Sequence, residues 1–132
     1  VSATFVPTQS SRYYPVTPCR VVDTRNADGP LGGPALTATA ARAFALGGAC
    51  GVPSDAKAVS INATVSQAST SGTLTLYPGT GSGPGTTAIS FVAGRDRANN
   101  SILGLNAGTL SVRDNQTTGS VHLIIDVNGY FR

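Results

Sequence analysis

The stretch AVSINATVS, residues 58–66, alternates apolar and polar side chains without a break: Val59, Ile61, Ala63 and Val65 against Ser60, Asn62, Thr64 and Ser66. A period of two puts one set on each face of an extended chain, so this segment reads as a β-strand with one buried face. GTLTLYP (72–78) follows the same rule, with Leu74 and Leu76 inward and Thr73, Thr75 and Tyr77 outward, while TLSVRD (109–114) turns Leu110 and Val112 inward. The run SVHLIIDVNGYF (120–131) sets Val121, Leu123, Ile125 and Val127 against His122, Ile124, Asp126 and Asn128. Strands with one apolar face must bury it against another layer, which confines such a chain to packed or closed sheets.

The segments between the strands are QASTSG, PGTGSGPGTT, AGRDRANN, NAGT and DNQTTGS, rich in turn residues and too short to hold crossover helices. Neighbouring strands are therefore antiparallel. RVVDT, ARAFAL, TAISFV and SILGL supply further strands, which gives about eight in the main body and up to two before it. Composition agrees: 16 Gly, 8 Pro, no Glu and a single Lys, Lys57, disfavour helices. The fold expected is all-β, an antiparallel, jelly-roll-like β-sandwich of about 8–10 strands filling one domain over residues 16–132. Residues 1–15 are Pro-rich and open with SATFV (2–6), an alternating stretch that reads as an N-terminal arm.

The formal net charge of +3 comes from arginines spread along the chain, with only Arg95 and Arg97 close together. A nucleic-acid surface concentrates its basic residues and sets aromatics among them, so nucleic acid is not an expected partner. No apolar run is long enough to span a bilayer, so membrane insertion is not expected either. The chain begins at Val1 and carries no secretory leader, as a processed mature form or a fragment would. Cys19 and Cys50 are the two cysteines, and His122 is the only histidine. A zinc site lacks ligands, which leaves a disulfide, worth about 3–4 kcal/mol for a loop of this length on the chain-entropy model. A disulfide implies an oxidising compartment, hence a secreted or cell-surface protein.

The ordered series CRVVDTR, GACGVP, AVSINATVS, GTLTLYP, ISFVAG, RANNSILGL and GSVHLIIDVNGYF resembles an uncharacterised all-β module of secreted and surface proteins from actinobacteria and other environmental bacteria. The resemblance covers about residues 14–131. It implies an extracellular setting and brings no established activity. In that family the module is often appended to, or repeated within, larger extracellular proteins; here an additional N-terminal segment precedes it.

Polar chemistry concentrates in PCRVVDTRNADG (18–29). Asn26, Asp28 and Gly29 echo positions three, five and six of a calcium-binding loop, but the first and twelfth positions fall on Thr24 and Ala35. Calcium held by Asp23 and Asp28 with remote oxygens is the one cofactor hypothesis. Ser120, His122 and Asp126 share a strand face and form the only hydrolase constellation, yet steps of about 7 Å separate alternate residues. A non-catalytic protein is the reading preferred. Along RVVDTR, either Val22 points inward with Arg20 and Thr24 opposite, or Val21 and Asp23 point inward together. A buried Asp23 or Asp126 needs an arginine or turn N–H groups as partner, so Asp23, Arg25, Arg97, Asn99, Asn100 and Asp126 are expected to form a structural polar cluster. RANN (97–100) reads as a turn, since Asn tolerates left-handed conformations. Tyr13, Tyr14 and Tyr77 are candidate stacking surfaces for a carbohydrate. The function expected is that of an extracellular structural or adhesive protein, a homo-oligomeric surface or filament subunit that uses its N-terminal strand. The alternative is a module binding a polysaccharide or the cell wall.

Overall fold

The computed structural model describes residues 11–80 and 87–132, so the alternating stretch at residues 2–6 and the middle of PGTGSGPGTT lie outside the described residues. The described chain forms nine strands and no helix: β1 (Tyr13–Asp23), β2 (Leu36–Thr37), β3 (Ala41–Ala45), β4 (Ala58–Ser66), β5 (Gly72–Pro78), β6 (Thr87–Phe91), β7 (Arg97–Gly104), β8 (Thr109–Asp114) and β9 (Ser120–Phe131). One sheet runs β1-β9-β4-β7, with β2 paired to the start of β9, and the other runs β3-β8-β5-β6. All these pairs are antiparallel. The two sheets pack together as the expected sandwich.

The alternation read from the sequence builds the core. Val59, Ile61, Ala63 and Val65 of β4 and Val121, Leu123, Ile125 and Val127 of β9 form one apolar cluster with Phe44, Leu74, Leu76, Leu110 and Val112 of the facing sheet. Each large side chain so buried contributes about 1.5–3 kcal/mol relative to exposure. Cys19 on β1 is bridged to Cys50 in the loop before β4, across 31 residues and with the Cα atoms 5.7 Å apart. Arg42 of β3 ties down the loop after β1: its guanidinium donates to the carbonyls of Gly29 (2.7 Å), Pro34 (2.9 Å) and Gly33 (3.2 Å). The same group lies 4.8 Å from the centroid of the Phe44 ring, a cation–π contact.

Three expectations need correction. Tyr13, Tyr14 and Pro15 belong to β1 and pair with Phe131, Tyr130 and Gly129, so the sandwich takes in residues that composition assigned to the arm. RANN lies inside β7 and forms no turn: each of its residues pairs with β4, from Arg97↔Val65 to Asn100↔Asn62. Asn disfavours strands only weakly, and the ladder to β4 outweighs that preference. Tyr77 does occupy the face opposite Leu76, but it is 4% exposed and offers no stacking surface. Its strand is an interior one, flanked by β8 and β6, and neighbours close over a side chain there. Alternation assigns a residue to a face without saying whether that face is open.

Candidate functional site

The outer face of the five-stranded sheet carries most of the polar residues singled out above. Register places Arg20 of β1 opposite Asp126 of β9, Asp126 opposite Asn62 of β4, and Asn62 opposite Asn100 of β7. These four residues make a polar row across four strands, about 14 Å from end to end at the usual strand spacing. Arg20 donates to Asp126 through Nε at 3.0 Å and through its terminal nitrogen at 3.4 Å. That bond holds the Arg20 guanidinium above its ordinary pKa. Neither Asn62 nor Asn100 forms a side-chain bond among the described residues, so both amides are available to a ligand.

Asp23 sits beside this row with its own partner. β1 has a register shift between Arg20 and Val22, and this bulge lets Val21, Val22 and Asp23 all be buried. The alternatives left open by the sequence are therefore both partly realised. Oδ1 of Asp23 accepts from the Arg25 backbone N–H at 3.0 Å and from Arg25 Nε at 2.9 Å, and Oδ2 accepts from the terminal nitrogen at 2.9 Å. The side-chain bond from Arg25, working against burial, lowers the Asp23 pKa from 3.8 to about 2. Both Asp23 oxygens are thus turned to Arg25, while Asp28 is exposed in the following turn. No group of three or more His, Cys, Asp or Glu that could hold a metal occurs among the described residues.

The expected polar cluster therefore divides. Asp23 pairs with Arg25 and Asp126 with Arg20, whereas Arg97, Asn99 and Asn100 lie on β7, on the far side of β9 and β4. Ser120, His122 and Asp126 do not assemble either. His122 Nδ1 bonds the Thr24 hydroxyl at 2.9 Å, the Ser120 backbone N–H donates to the Ser69 hydroxyl, and Asp126 is held by Arg20. The Thr24 hydroxyl also accepts the Leu123 N–H at 2.8 Å, which fixes the end of β1 against β9.

Aromatic residues gather where β1 and β9 end. Tyr13 lies 5.2 Å from Phe131, and Tyr14 stacks on Tyr130 at 5.1 Å with a 17° interplanar angle. Tyr13 covers Gly129, where a Cβ would run into its ring, and its hydroxyl donates to the Asn128 carbonyl at 3.3 Å. Tyr13 and Tyr14 remain 47% and 39% exposed.

Two residues of consequence escaped the sequence reading. Arg20 is the partner of Asp126, a pairing set by which strands adjoin rather than by any local motif. Asp114 is the other. It follows Leu110 and Val112 at the same period and is fully buried. Its Oδ1 accepts the Gln116 N–H at 2.9 Å, while Oδ2 and Gln116 Oε1 meet no donor. Burial pushes its pKa up. The Gln116 amide is fixed in orientation by bonds from Nε2 to the Thr70 carbonyl, the Thr70 hydroxyl and the Ser120 carbonyl.

Comparison with known proteins finds no family model, curated protein or solved structure that matches this chain.

Proposed function

We propose that the protein is a non-catalytic extracellular structural or adhesive domain that associates with copies of itself through the edges of its sheets, using its N-terminal strand. One observation carries the proposal. Among the described residues the exposed large hydrophobics are Tyr13, Tyr14, Val92 and Ile102, and all four lie on or directly beside outermost strands: β1, β6 and β7. An edge strand presents unpaired backbone groups, and apolar side chains at that edge favour adding another strand. The disulfide supports an oxidising compartment. Light scattering of the full chain, with and without residues 1–7, tests the proposal. Assemblies are expected for the full chain and monomers for the shortened one; an unchanged mass overturns the role of the N-terminal strand.

The polar row favours a second reading, carbohydrate binding. Arg20, Asp126, Asn62 and Asn100 offer donors and acceptors in one line, with the exposed Tyr13 on the same sheet available for stacking. Polysaccharide pull-down that is lost in Asn62→Ala and in Tyr13→Ala supports it, and binding unaffected by both rejects it.

A further inference from the structure

We infer that Thr70 and Gln116 react with one another to form an internal ester bond, which clamps the two sheets together at the end away from the disulfide. The site lies where two loops meet. Residues 67–71 carry the chain from β4 to β5 and residues 115–119 carry it from β8 to β9, so each loop crosses from one sheet to the other. Cys50, by contrast, sits in the loop that leads into the opposite end of β4. The two crossing loops are already tied by backbone. The Ser69 N–H donates to the Ser120 carbonyl at 3.0 Å, and the Ser120 N–H donates to the Ser69 hydroxyl at 2.9 Å. Glycine permits this approach: a Cβ at Gly119, where φ is +96°, would run into the Ser69 hydroxyl, and one at Gly72 would stand 2.6 Å from Cγ of Gln116.

Gln116 is 1% exposed, and its Nε2 donates to the Thr70 hydroxyl and the Thr70 carbonyl, both at 2.9 Å, and to the Ser120 carbonyl at 3.2 Å. These acceptors fix the nitrogen end of the amide, so the buried end without a donor is the carbonyl oxygen, Oε1. The Thr70 hydroxyl gives its own proton to the Thr118 carbonyl at 2.7 Å, which turns a lone pair of its oxygen toward the amide. The amide carbon lies one C–N bond beyond Nε2, and is therefore within about 4.2 Å of that oxygen. Reacting atoms in near-attack position are about 3–3.5 Å apart, so a small rotation of either side chain covers the difference. Asn115 makes a similar contact, from Nδ2 to the hydroxyls of Thr73 (3.2 Å) and Thr75 (2.9 Å), but it is exposed and water solvates its carbonyl. Burial sets Gln116 apart.

Asp114 supplies the donor that the carbonyl lacks. It is fully buried; its Oδ1 accepts the Gln116 backbone N–H at 2.9 Å, and its Oδ2 is the other buried acceptor without a donor. Burial raises its pKa, so it holds a proton more tightly than an exposed carboxyl group does. One proton on Oδ2, given to Gln116 Oε1, answers both orphaned oxygens. In the reaction the Thr70 hydroxyl oxygen adds to Gln116 Cδ, and the carbonyl electron pair shifts onto Oε1, against the Asp114 proton. The hydroxyl proton passes to Nε2. The pair then returns, the C–N bond breaks, and ammonia leaves on the side of the half-exposed Thr70. An amide and an alcohol become an ester and ammonia, with no oxidant, reductant or cofactor. The reaction occurs once per chain and is not turnover. Escape of ammonia into solvent opposes the reverse step, and the burial of Gln116 keeps water from the ester. The Ser120 carbonyl retains the Ser69 N–H after Nε2 is gone.

Mass spectrometry of the intact, folded full chain tests this. Its mass is expected to fall below that of the sequence by one ammonia, beyond the two hydrogens lost to the disulfide. Trypsin cuts after Lys57, Arg95 and Arg113, so Thr70 and Gln116 fall in separate peptides, 58–95 and 114–132. After reduction these peptides are expected to remain joined, with fragmentation placing the link at Thr70 and Gln116, and to separate in alkaline hydroxylamine, which cleaves esters. Thr70→Ser keeps a hydroxyl and should close, whereas Thr70→Val should show the full mass. Thr70 is half-exposed in a loop, so neither change disturbs the core. Asp114→Asn still presents an N–H to the carbonyl oxygen and should close; a folded Asp114→Asn chain that stays open overturns the role given to Asp114. A wild-type chain of full mass after prolonged incubation in the folded state, with the two peptides separate, overturns the inference. An ammonia loss that persists in Thr70→Val does so too, because it then arises from another amide, such as an asparagine that has cyclised onto the backbone.

Discussion

Replacing Asp114 with asparagine is expected to stabilise the protein at neutral pH, a result opposite in sign to most substitutions of fully buried residues. Asp114 is fully buried, and Oδ2 and the neighbouring Gln116 Oε1 are both acceptors without a donor. Asparagine keeps an oxygen for the Gln116 N–H and puts an NH2 group where the carboxylate has its orphaned oxygen. Burial raises the Asp114 pKa above its ordinary 3.8, so the folded chain holds this proton more tightly than the unfolded chain does. The contribution to stability is therefore fully present below pH 3.8 and is lost as pH rises through the folded-state value. A buried, unsatisfied polar group costs about 1–3 kcal/mol. For a domain of this size each kcal/mol moves Tm by about 3–5 °C, so a rise of about 3–15 °C at pH 7.5 is expected. Thermal melts of both proteins at pH 7.5 and pH 3 provide the assay. The gap between them should narrow at pH 3, where Asp114 is protonated in both states; other titrating groups are shared and cancel. A lower Tm for the variant at pH 7.5, or an equal gap at both pH values, refutes the reasoning.

Asp23 behaves in the opposite sense. Its pKa falls from 3.8 to about 2, so its contribution is present above pH 3.8 and lost as pH drops toward 2. The shift corresponds to roughly 2.4 kcal/mol, and solvent around the partly exposed Arg25 reduces that to about 1–2 kcal/mol. Arg25→Ala should lower the unfolding free energy measured in urea at pH 7 by that amount and flatten the acid limb between pH 4 and 2. Replacing both Cys19 and Cys50 with serine should cost about 3–4 kcal/mol in urea unfolding, and reductant should bring the wild type to the same midpoint. Gly129→Ala puts a methyl group into the Tyr13 ring and should cost about 1–3 kcal/mol by overpacking. In a double-mutant cycle Tyr13→Ala should recover most of that loss, since the two residues are in direct contact.

The parts of the fold that could be read from the sequence are those where two physical demands coincide. β4 and β9 lie at the centre of one sheet and face the other sheet, so burial imposes the period of two along most of each, with the outward Ile124 a buried exception. β5 shows where that logic weakens: Thr75 and Tyr77 alternate correctly with Leu74 and Leu76, yet both faces of the strand are buried. Asp114 was legible in principle, since it continues the period of Leu110 and Val112, but a carboxylate at an inward position runs against the expectation that charge is exposed. That Asp126 needs an arginine or turn N–H partner was legible, but that the partner is Arg20 was not. It depends on β1 lying beside β9, a contact between residues 106 apart in the chain that no local motif announces.

β7 was the hardest strand to read, for a physical reason. Its first half meets solvent on both faces, so nothing there selects an alternating pattern, and RANN imitates a turn. A strand needs no hydrophobic signature when the β4 ladder alone holds it extended. The lack of covering side chains is what hid β7 from the sequence. The polar row differs: Asn62 and Asp126 stand at outward positions that alternation assigned, and among the described residues neither Asn62 nor Asn100 has a side-chain bond.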